Sequence, residues 1–579
     1  MTATEGGDRV RAIAARLRAR AGVDRVVLAV VTVVVAAFAA RLYRLGARTA
    51  HFDEGRVAYW VLDYAASGNF RYRPIVHGPF LQHVNEVAFG VLGPTDFAMR
   101  AVVAAVTALF PLSALLLAKR LRDVEVVALA AFWAFTPVVL YYSRFMRGDP
   151  LVAAFMVTAF ALFVRAVDTG RRRYFYAGVG FVGLGFTVKE NALLYLLCWV
   201  GGVVLLFDHR LFRAADRGED WTAVARTHGR RALRVGWRHV DALLFGVLGF
   251  LAVVAFFYAP RGNTAVGPGL GTALSDPSLL PAVLREATVG SAEALAGTWI
   301  DSPHQDHAYL PYLGHFLATL RAGGFAVCLL AVVGFVADRY RPDGPSDLVA
   351  MAFYWGVVSV LGYPIATDIK APWATVHAVV PLAIPAAVGL GLFVRWGRDA
   401  LADDDRVSAG LAALVVLVVV AQVAIGGVGQ VYLTDHRQDN QLVQYAQPAP
   451  GVQPVLRDVG DAASDHAGTD VVLYGNHFAD APGATGPRRP ACAPWQEVLP
   501  LPWYFERADA TASCIDSAEG LTRTVERERP LAVVARTGDV STQPAALSDY
   551  ERRTHLLRDR DSRTHFFVRS DVANGTASG

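Results

Sequence analysis

The chain has 579 residues, 54% of them hydrophobic, with mean hydropathy +0.34 and a formal net charge of +4. A soluble domain averages about 45–50% apolar, and the excess here is gathered in repeated runs of bilayer-spanning length. That excludes an ordinary soluble enzyme. The basic surplus is concentrated in arginine-rich turns between the runs, so it reflects membrane orientation and not nucleic-acid binding.

Residues 1–25 carry Arg9, Arg11, Arg16, Arg18, Arg20 and Arg25, the mark of a cytoplasmic N-terminus. The apolar run 26–45 is longer than a secretory h-region and no small-residue cleavage site follows it, so it reads as a retained anchor. His51-Phe52-Asp53-Glu54 comes next. Two adjacent carboxylates thus emerge at the outer surface, where acidic groups against a span are costly and usually functional. Asp53 and Glu54 are the candidate base and its assistant, against the plainer alternative of a solvated loop cap.

The loop 46–98 continues with Pro74-Ile75-Val76-His77-Gly78-Pro79, a turn fixed by glycine and two prolines. Residues 80–89 space their apolar side chains for a helix lying on the membrane. Asp96 and Arg100 close the loop; Arg100 is either a site residue or ordinary interfacial snorkelling.

Ten further spans are expected at 99–118, 124–142, 150–167, 174–188, 191–207, 239–258, 323–338, 348–366, 374–394 and 407–427, eleven in all. Every second turn is arginine-rich, above all 208–238, which sets those turns inside. An odd span number then places the C-terminal part outside.

The other turns run against that rule. Tyr142 to Asp149 holds Arg144 and Arg147 on the outer side. Of 55 basic residues only Lys119, Lys189 and Lys370 are lysine, and two of these lie in the outer turns Lys189-Glu190-Asn191 and Asp368-Ile369-Lys370-Ala371-Pro372-Trp373. Guanidinium groups clamp phosphate in bidentate fashion, and ammonium serves as a compact point charge. Arg144, Arg147, Lys189 and Lys370 are therefore candidate phosphate ligands, with turn-closing ion pairs as the alternative. His77, Arg100, Asp149, Glu190 and Trp373 are the supporting candidates. Trp373 either packs a sugar face or belongs to the interfacial aromatic belt.

The organisation expected is a cytoplasmic stretch 1–25, a transmembrane domain 26–429 with outer loops 46–98 and 259–322, an extracellular α/β domain 430–570 and a disordered tail 571–579. Strands are expected at 471–474, 531–534 and 565–568, and an exposed Pro/Gly-rich loop at 481–502. Outside the cell, Cys492 and Cys514 could form a disulfide. His304-Gln305-Asp306-His307 offers metal-ligand types at a non-specific spacing and reads as a solvated loop. Trp503-Tyr504-Phe505-Glu506 is a carbohydrate or membrane contact, or domain packing. No P-loop, GxGxxG, HExxH or nucleophile elbow is present, so direct ATP hydrolysis has no sequence support.

Taken in order, Asp53-Glu54, His77-Gly78-Pro79 with residues 80–92, Arg147-Gly148-Asp149, Lys189 and Lys370-Ala371-Pro372 resemble the GT-C superfamily of membrane glycosyltransferases. The likeness is to its dolichyl-phosphate-mannose protein mannosyltransferase and aminoarabinose transferase branch. It is nearest to haloarchaeal membrane proteins described as flippase-activity-associated in N-glycosylation. The match covers roughly residues 20–395 and leaves the tail, hence the acceptor, open. It implies an all-α polytopic membrane protein with a C-terminal extracellular α/β domain, seated in the cell membrane. It also implies inverting transfer of a sugar, a hexose such as mannose, from a polyprenyl- or dolichyl-phosphate donor to a lipid-linked glycan or glycoprotein. Asp53 would be the base. No cofactor is required, although one divalent cation at Asp53, Glu54 or His77 is compatible with the residues. A non-enzymatic flippase or flippase accessory, and a scaffold for glycosylation partners, are the competing classes.

Overall fold

The computed structural model describes residues 25–299, 307–341, 344–367, 369–479, 492–558 and 563–575. The His304–Asp306 part of the His-rich segment, Asp368, the first half of the 481–502 loop and the end of the tail lie outside these residues.

The chain is mostly helical, and each expected span coincides with a helix or a broken helix. Eight helices among the described residues are long and apolar enough to cross a membrane, or nine spans if one bent pair is counted as one. The expectation of eleven exceeds this because three segments are too short alone. Residues 124–142 break at Thr136-Pro137 into helices Asp123–Phe135 and Pro137–Tyr142, since proline cannot donate within a helix. Arg172–Val188 has 17 residues. Phe325–Arg339 has 15 residues and meets Tyr309–Gly323 at 94°.

Burial sorts the spans. Gly148–Thr169 and Pro372–Ala402 run through the centre, 72% and 83% buried, whereas Val240–Tyr258 and Arg406–Leu433 leave almost all their apolar surface outward, 11% and 17% buried. Helices exposed and apolar all round need lipid as solvent. The central helix Val376–Ala402 packs backbone to backbone on Phe325–Arg339: a Cβ on Gly389 would come within 2.3 Å of the Leu330 carbonyl oxygen. Small residues permit such approach between membrane helices.

Phe80–Leu92 is helical as expected, and its buried face mixes Phe80, Leu81 and Phe89 with polar residues. Gln82 and Asn85 point inward, where Asn85 donates to the Met99 carbonyl at 3.0 Å, and Val87 and Val91 point outward.

The C-terminal domain is a five-stranded sheet in the order Ala512–Ile515, Val471–Tyr474, Ala532–Arg536, Arg563–Arg569, Tyr550–Leu556. The first three strands are parallel and the last two antiparallel. Helix Ala518–Glu528 makes the crossover between Ala512–Ile515 and Ala532–Arg536, which a parallel pairing requires. Cys514, on the edge strand, is disulfide-bonded to Cys492.

This domain sits directly on the 46–98 loop. Buried Asp96 accepts from Trp503 Nε1 (2.8 Å), Arg507 Nη1 (3.0 Å) and Gln453 Nε2 (2.5 Å). The Ala50 amide donates to the Tyr504 hydroxyl at 2.8 Å. A Cβ on Gly55 would fall 2.5 Å from Pro500 Cβ. Trp503 and Tyr504 are therefore buried packing residues and not a carbohydrate surface.

Candidate functional site

His51 begins the site as the N-cap of helix Phe52–Ser67. Its Nδ1 accepts from the Asp53 amide (3.0 Å), and its Nε2 lies 2.7 Å from the Tyr445 carbonyl, so the ring is assigned as the neutral Nε2–H tautomer. Burial pushes its pKa down to about 4. Asp53 and Glu54 then occupy the first turn, where the helix dipole favours anions. Adjacent helical residues point about 100° apart, and the two carboxylates face different surroundings.

Glu54 faces inward. Its Oε1 accepts from Arg100 Nε (2.8 Å) and the Met146 amide (2.8 Å). Its Oε2 accepts from Arg100 Nη2 (2.7 Å) and the His51 amide (2.9 Å). Burial by itself would raise this carboxyl, but the Arg100 guanidinium outweighs it and holds the pKa at about 2. Arg100 also donates from Nη1 to the carbonyls of Leu45 (2.9 Å) and Arg48 (3.0 Å) and is fully buried, so it is no snorkelling residue. The pair binds the first outer loop to the span Asp96–Leu117.

Asp53 points away from Glu54 and is the less buried of the two. Its side chain keeps 16% exposure and pairs with Arg56 Nη2 (2.7 Å) and Arg147 Nη1 (2.8 Å). Burial raises its pKa, and Arg56 and Arg147 more than reverse that, holding it far below the usual carboxylate range.

Arg147 is the junction. Beyond Asp53 it donates from Nε to Asp149 Oδ2 (3.0 Å) and from Nη1 to Gln444 Oε1 (2.9 Å), and its guanidinium lies 3.6 Å from the centroid of Trp373. Trp373 is thus a buried cation–π partner, not a belt residue or a sugar platform. Asp149 is fully buried and also takes Lys189 Nζ (2.9 Å) and His377 Nε2 (3.2 Å) on Oδ1. Tyr195 and Tyr363 hold His377, by a 2.6 Å hydroxyl contact to Nδ1 and by ring stacking. The result is one continuous chain, Arg56–Asp53–Arg147–Asp149–Lys189, with alternating charge.

Beside Lys189, Glu190 accepts from the Tyr72 hydroxyl (2.8 Å) and contacts His77 Nδ1 (3.1 Å). Burial raises Glu190, but the His77 bond and charge outweigh it and lower its pKa. The Gly78 amide donates to the Val188 carbonyl at 3.1 Å, which docks the Pro74–Val76 turn against the Lys189 turn. Asp53, His77 and Glu190 keep the greatest side-chain exposure of this group.

Two expected phosphate ligands lie apart. Arg144 Nη1 donates to the carbonyls of Ala40 (2.9 Å), Arg41 (2.7 Å) and Tyr43 (2.8 Å), and its guanidinium lies over Tyr432. It satisfies the open carbonyls at the end of the first span. Lys370 is exposed and has no ion pair among the described residues. The proposed cation ligands do not share a site. Glu54 is saturated by four donors, His77 is engaged with Glu190, and no three His, Cys, Asp or Glu side chains converge among the described residues.

Sequence reasoning missed Arg56, His377 and Gln444. Arg56 lies one helical turn from Asp53, and His377 is a polar ring within an apolar run, which is itself a signal. Gln444 carried none.

Comparison with known proteins fits this geometry. Residues 76–217 match the family described as dolichyl-phosphate-mannose-protein mannosyltransferase. The fold is similar to that of ArnT from Cupriavidus metallidurans, solved bound to undecaprenyl phosphate: TM-score 0.50, 16% identity, 93% of this chain and 97% of that chain covered. For apo ArnT the TM-score is 0.53, at 16% identity and 94% and 98% coverage. The Archaeoglobus fulgidus oligosaccharyltransferase, solved with a tethered acceptor peptide, is more distant, at TM-score 0.46, 12% identity and 88% and 69% coverage. No curated protein sequence matches the chain. At 16% identity the likeness to ArnT is one of fold. Residues 452–569 match the family described as the Agl23 flippase-associated protein C-terminal domain.

Proposed function

We propose that this chain is an inverting glycosyltransferase. It would move a sugar, a hexose such as mannose, from a polyprenyl- or dolichyl-phosphate donor to a lipid-linked glycan or glycoprotein at the outer membrane face. The observation that carries this reading is the single ion chain joining a partly exposed carboxylate, Asp53, to two cations, Arg147 and Lys189.

At rest Asp53 is ionised but a weak base, because Arg56 and Arg147 stabilise its charge. A donor phosphate drawing Arg147 away removes one of these partners and raises the basicity of Asp53. The acceptor hydroxyl then attacks the anomeric carbon from the face opposite the phosphate. Its oxygen bonds to that carbon, its proton passes to Asp53, and the carbon–oxygen bond to phosphate breaks with the electron pair remaining on phosphate. Asp53 loses its charge as the phosphate goes from one negative charge to two. Arg147, released from a neutral Asp53, and Lys189 stabilise the new charge. Asp149, His377 and Gln444 hold the two cations in place and touch no reacting atom. Glu54 and Arg100 hold the loop.

The second reading, a flippase or flippase accessory, is favoured by the C-terminal family match and by the full pairing of Asp53. Liposomes holding purified protein, radiolabelled polyprenyl-phosphate mannose and a lipid-linked glycan separate the two. Transfer by wild type and its loss in Asp53→Asn support the enzyme. Equal transfer by both removes Asp53 from the chemistry, and lipid crossing the bilayer without transfer selects the second reading.

A further inference from the structure

A cavity of about 400 Å³ opens between the ends of helices Ala192–Asp216, Phe325–Arg339 and Asp347–Ala366. Arg210, Arg213, Arg217, Arg339 and Arg341 line it, with His209. Three carboxylates offset them in part. Asp347 pairs with Arg210, Asp338 with Arg341 (3.0 Å), and Glu219 with Arg217 (3.8 Å). Asp338 is buried and its second oxygen accepts the Ser346 amide at 2.7 Å, so it offers nothing to the cavity. Arg213, half-buried, has no carboxylate within ion-pair distance among the described residues. Among the described residues Arg339 contacts the imidazole of His209, 3.1 Å from Nε2, and no carboxylate. Two guanidinium groups of the cavity wall therefore have no carboxylate partner among the described residues.

The opposite wall is apolar. Leu206, Phe335 and Ala350 line it, and Val203, Val332 and Val336 continue exposed along the two spans. A charged head and an apolar stem in one cleft match an amphiphile, not a free ion. Helix Trp221–Arg238 adjoins the same face, with arginines along one side and Leu233 and Trp237 outward, the composition of a helix resting on an anionic bilayer surface. Arg213 lies in the last turn of helix Ala192–Asp216, roughly 30 Å at 1.5 Å per residue from the helix start that follows the Lys189 turn. The cavity is thus separate from the Asp53 cluster and at the other membrane face.

We propose that this cavity binds the phosphate headgroup of an anionic membrane lipid, with Arg213 and Arg339 as its ligands and an acyl chain along Leu206 and Phe335. The test uses the full chain in detergent, with phosphatidylglycerol, phosphatidylcholine and inorganic phosphate as probes and native mass spectrometry as readout. Wild type is expected to retain phosphatidylglycerol at least tenfold over phosphatidylcholine. The double variant Arg213→Gln, Arg339→Gln should drop that preference below threefold, while Arg213→Lys, Arg339→Lys keeps most of it. The proposal fails if wild type shows no preference, if the Gln pair retains it, or if the Lys pair loses it as fully as the Gln pair. Displacement of the lipid by equimolar inorganic phosphate would overturn the lipid as ligand.

Discussion

Glu54→Gln is expected to destabilise this protein strongly where Asp53→Asn leaves it folded and inactive. Both Glu54 oxygens accept one Arg100 N–H and one backbone amide. Whichever way a glutamine amide turns, its NH₂ meets two donors, and Arg100 keeps a buried charge without a counterion. Breaking a buried pair costs about 3–5 kcal/mol. The fall of the Glu54 pKa from 4.5 to about 2 gives an independent figure of roughly 3 kcal/mol. Because the folded pKa is depressed, that stability is fully present above about pH 4.5 and is lost as pH falls toward 2. Denaturant midpoints in detergent across pH 3–8 measure both quantities. Wild type should hold a plateau above pH 5 and decline below it, and Glu54→Gln should start lower with a shallower decline. Asp53 keeps 16% side-chain exposure where Glu54 keeps 2%, so Asp53→Asn should lower the midpoint less than Glu54→Gln while reducing transfer by about 10²–10⁴-fold, the usual worth of a general base. A Glu54→Gln protein as stable as wild type would refute the division of labour between the two carboxylates.

Asp149→Asn should raise the donor KM and lower transfer together, because two buried cations lose their shared counterion; unchanged donor affinity would remove Asp149 as the organiser of Arg147 and Lys189. Gly78→Ala should abolish transfer in a protein that still inserts in membranes, since its Cβ would meet the Thr187 carbonyl oxygen at 2.2 Å and separate the His77 turn from Lys189; activity above half of wild type would show that the two turns need not touch. Cys492→Ser with Cys514→Ser opens a link spanning 22 residues, and loop entropy puts the loss at about 3 kcal/mol. Limited proteolysis of the C-terminal domain should accelerate accordingly, and an unchanged rate would count against the pair.

What could be read from the sequence was charge placed against membrane logic. Asp53, Arg147, Lys189 and Glu190 each sit where a lipid-facing chain avoids charge, and the structure joins the first three through Asp149, with the Glu190–His77 pair beside Lys189. What could not be read was direction. Asp53 and Glu54 are adjacent in sequence, yet one helical step sends one to Arg147 and the other to Arg100. Arg144 and Arg147 lie three positions apart in one short loop, and only the backbone path assigns the first to helix-end carbonyls and the second to the cluster. The same loss appears in the C-terminal sheet. The expected strands are central and apolar, whereas the missed ones, Ala512–Ile515 and Tyr550–Leu556, are edges with partly exposed side chains. Edge strands are kept polar against aggregation and carry weak periodicity. Gln444 is the limiting case. It is 297 positions from Arg147, in coil, and reaches the cluster only because the segment after the last span folds back over the first outer loop. The segment leading into the C-terminal domain thus contributes to holding Arg147, so a displacement of that segment removes one of the partners that fix its guanidinium.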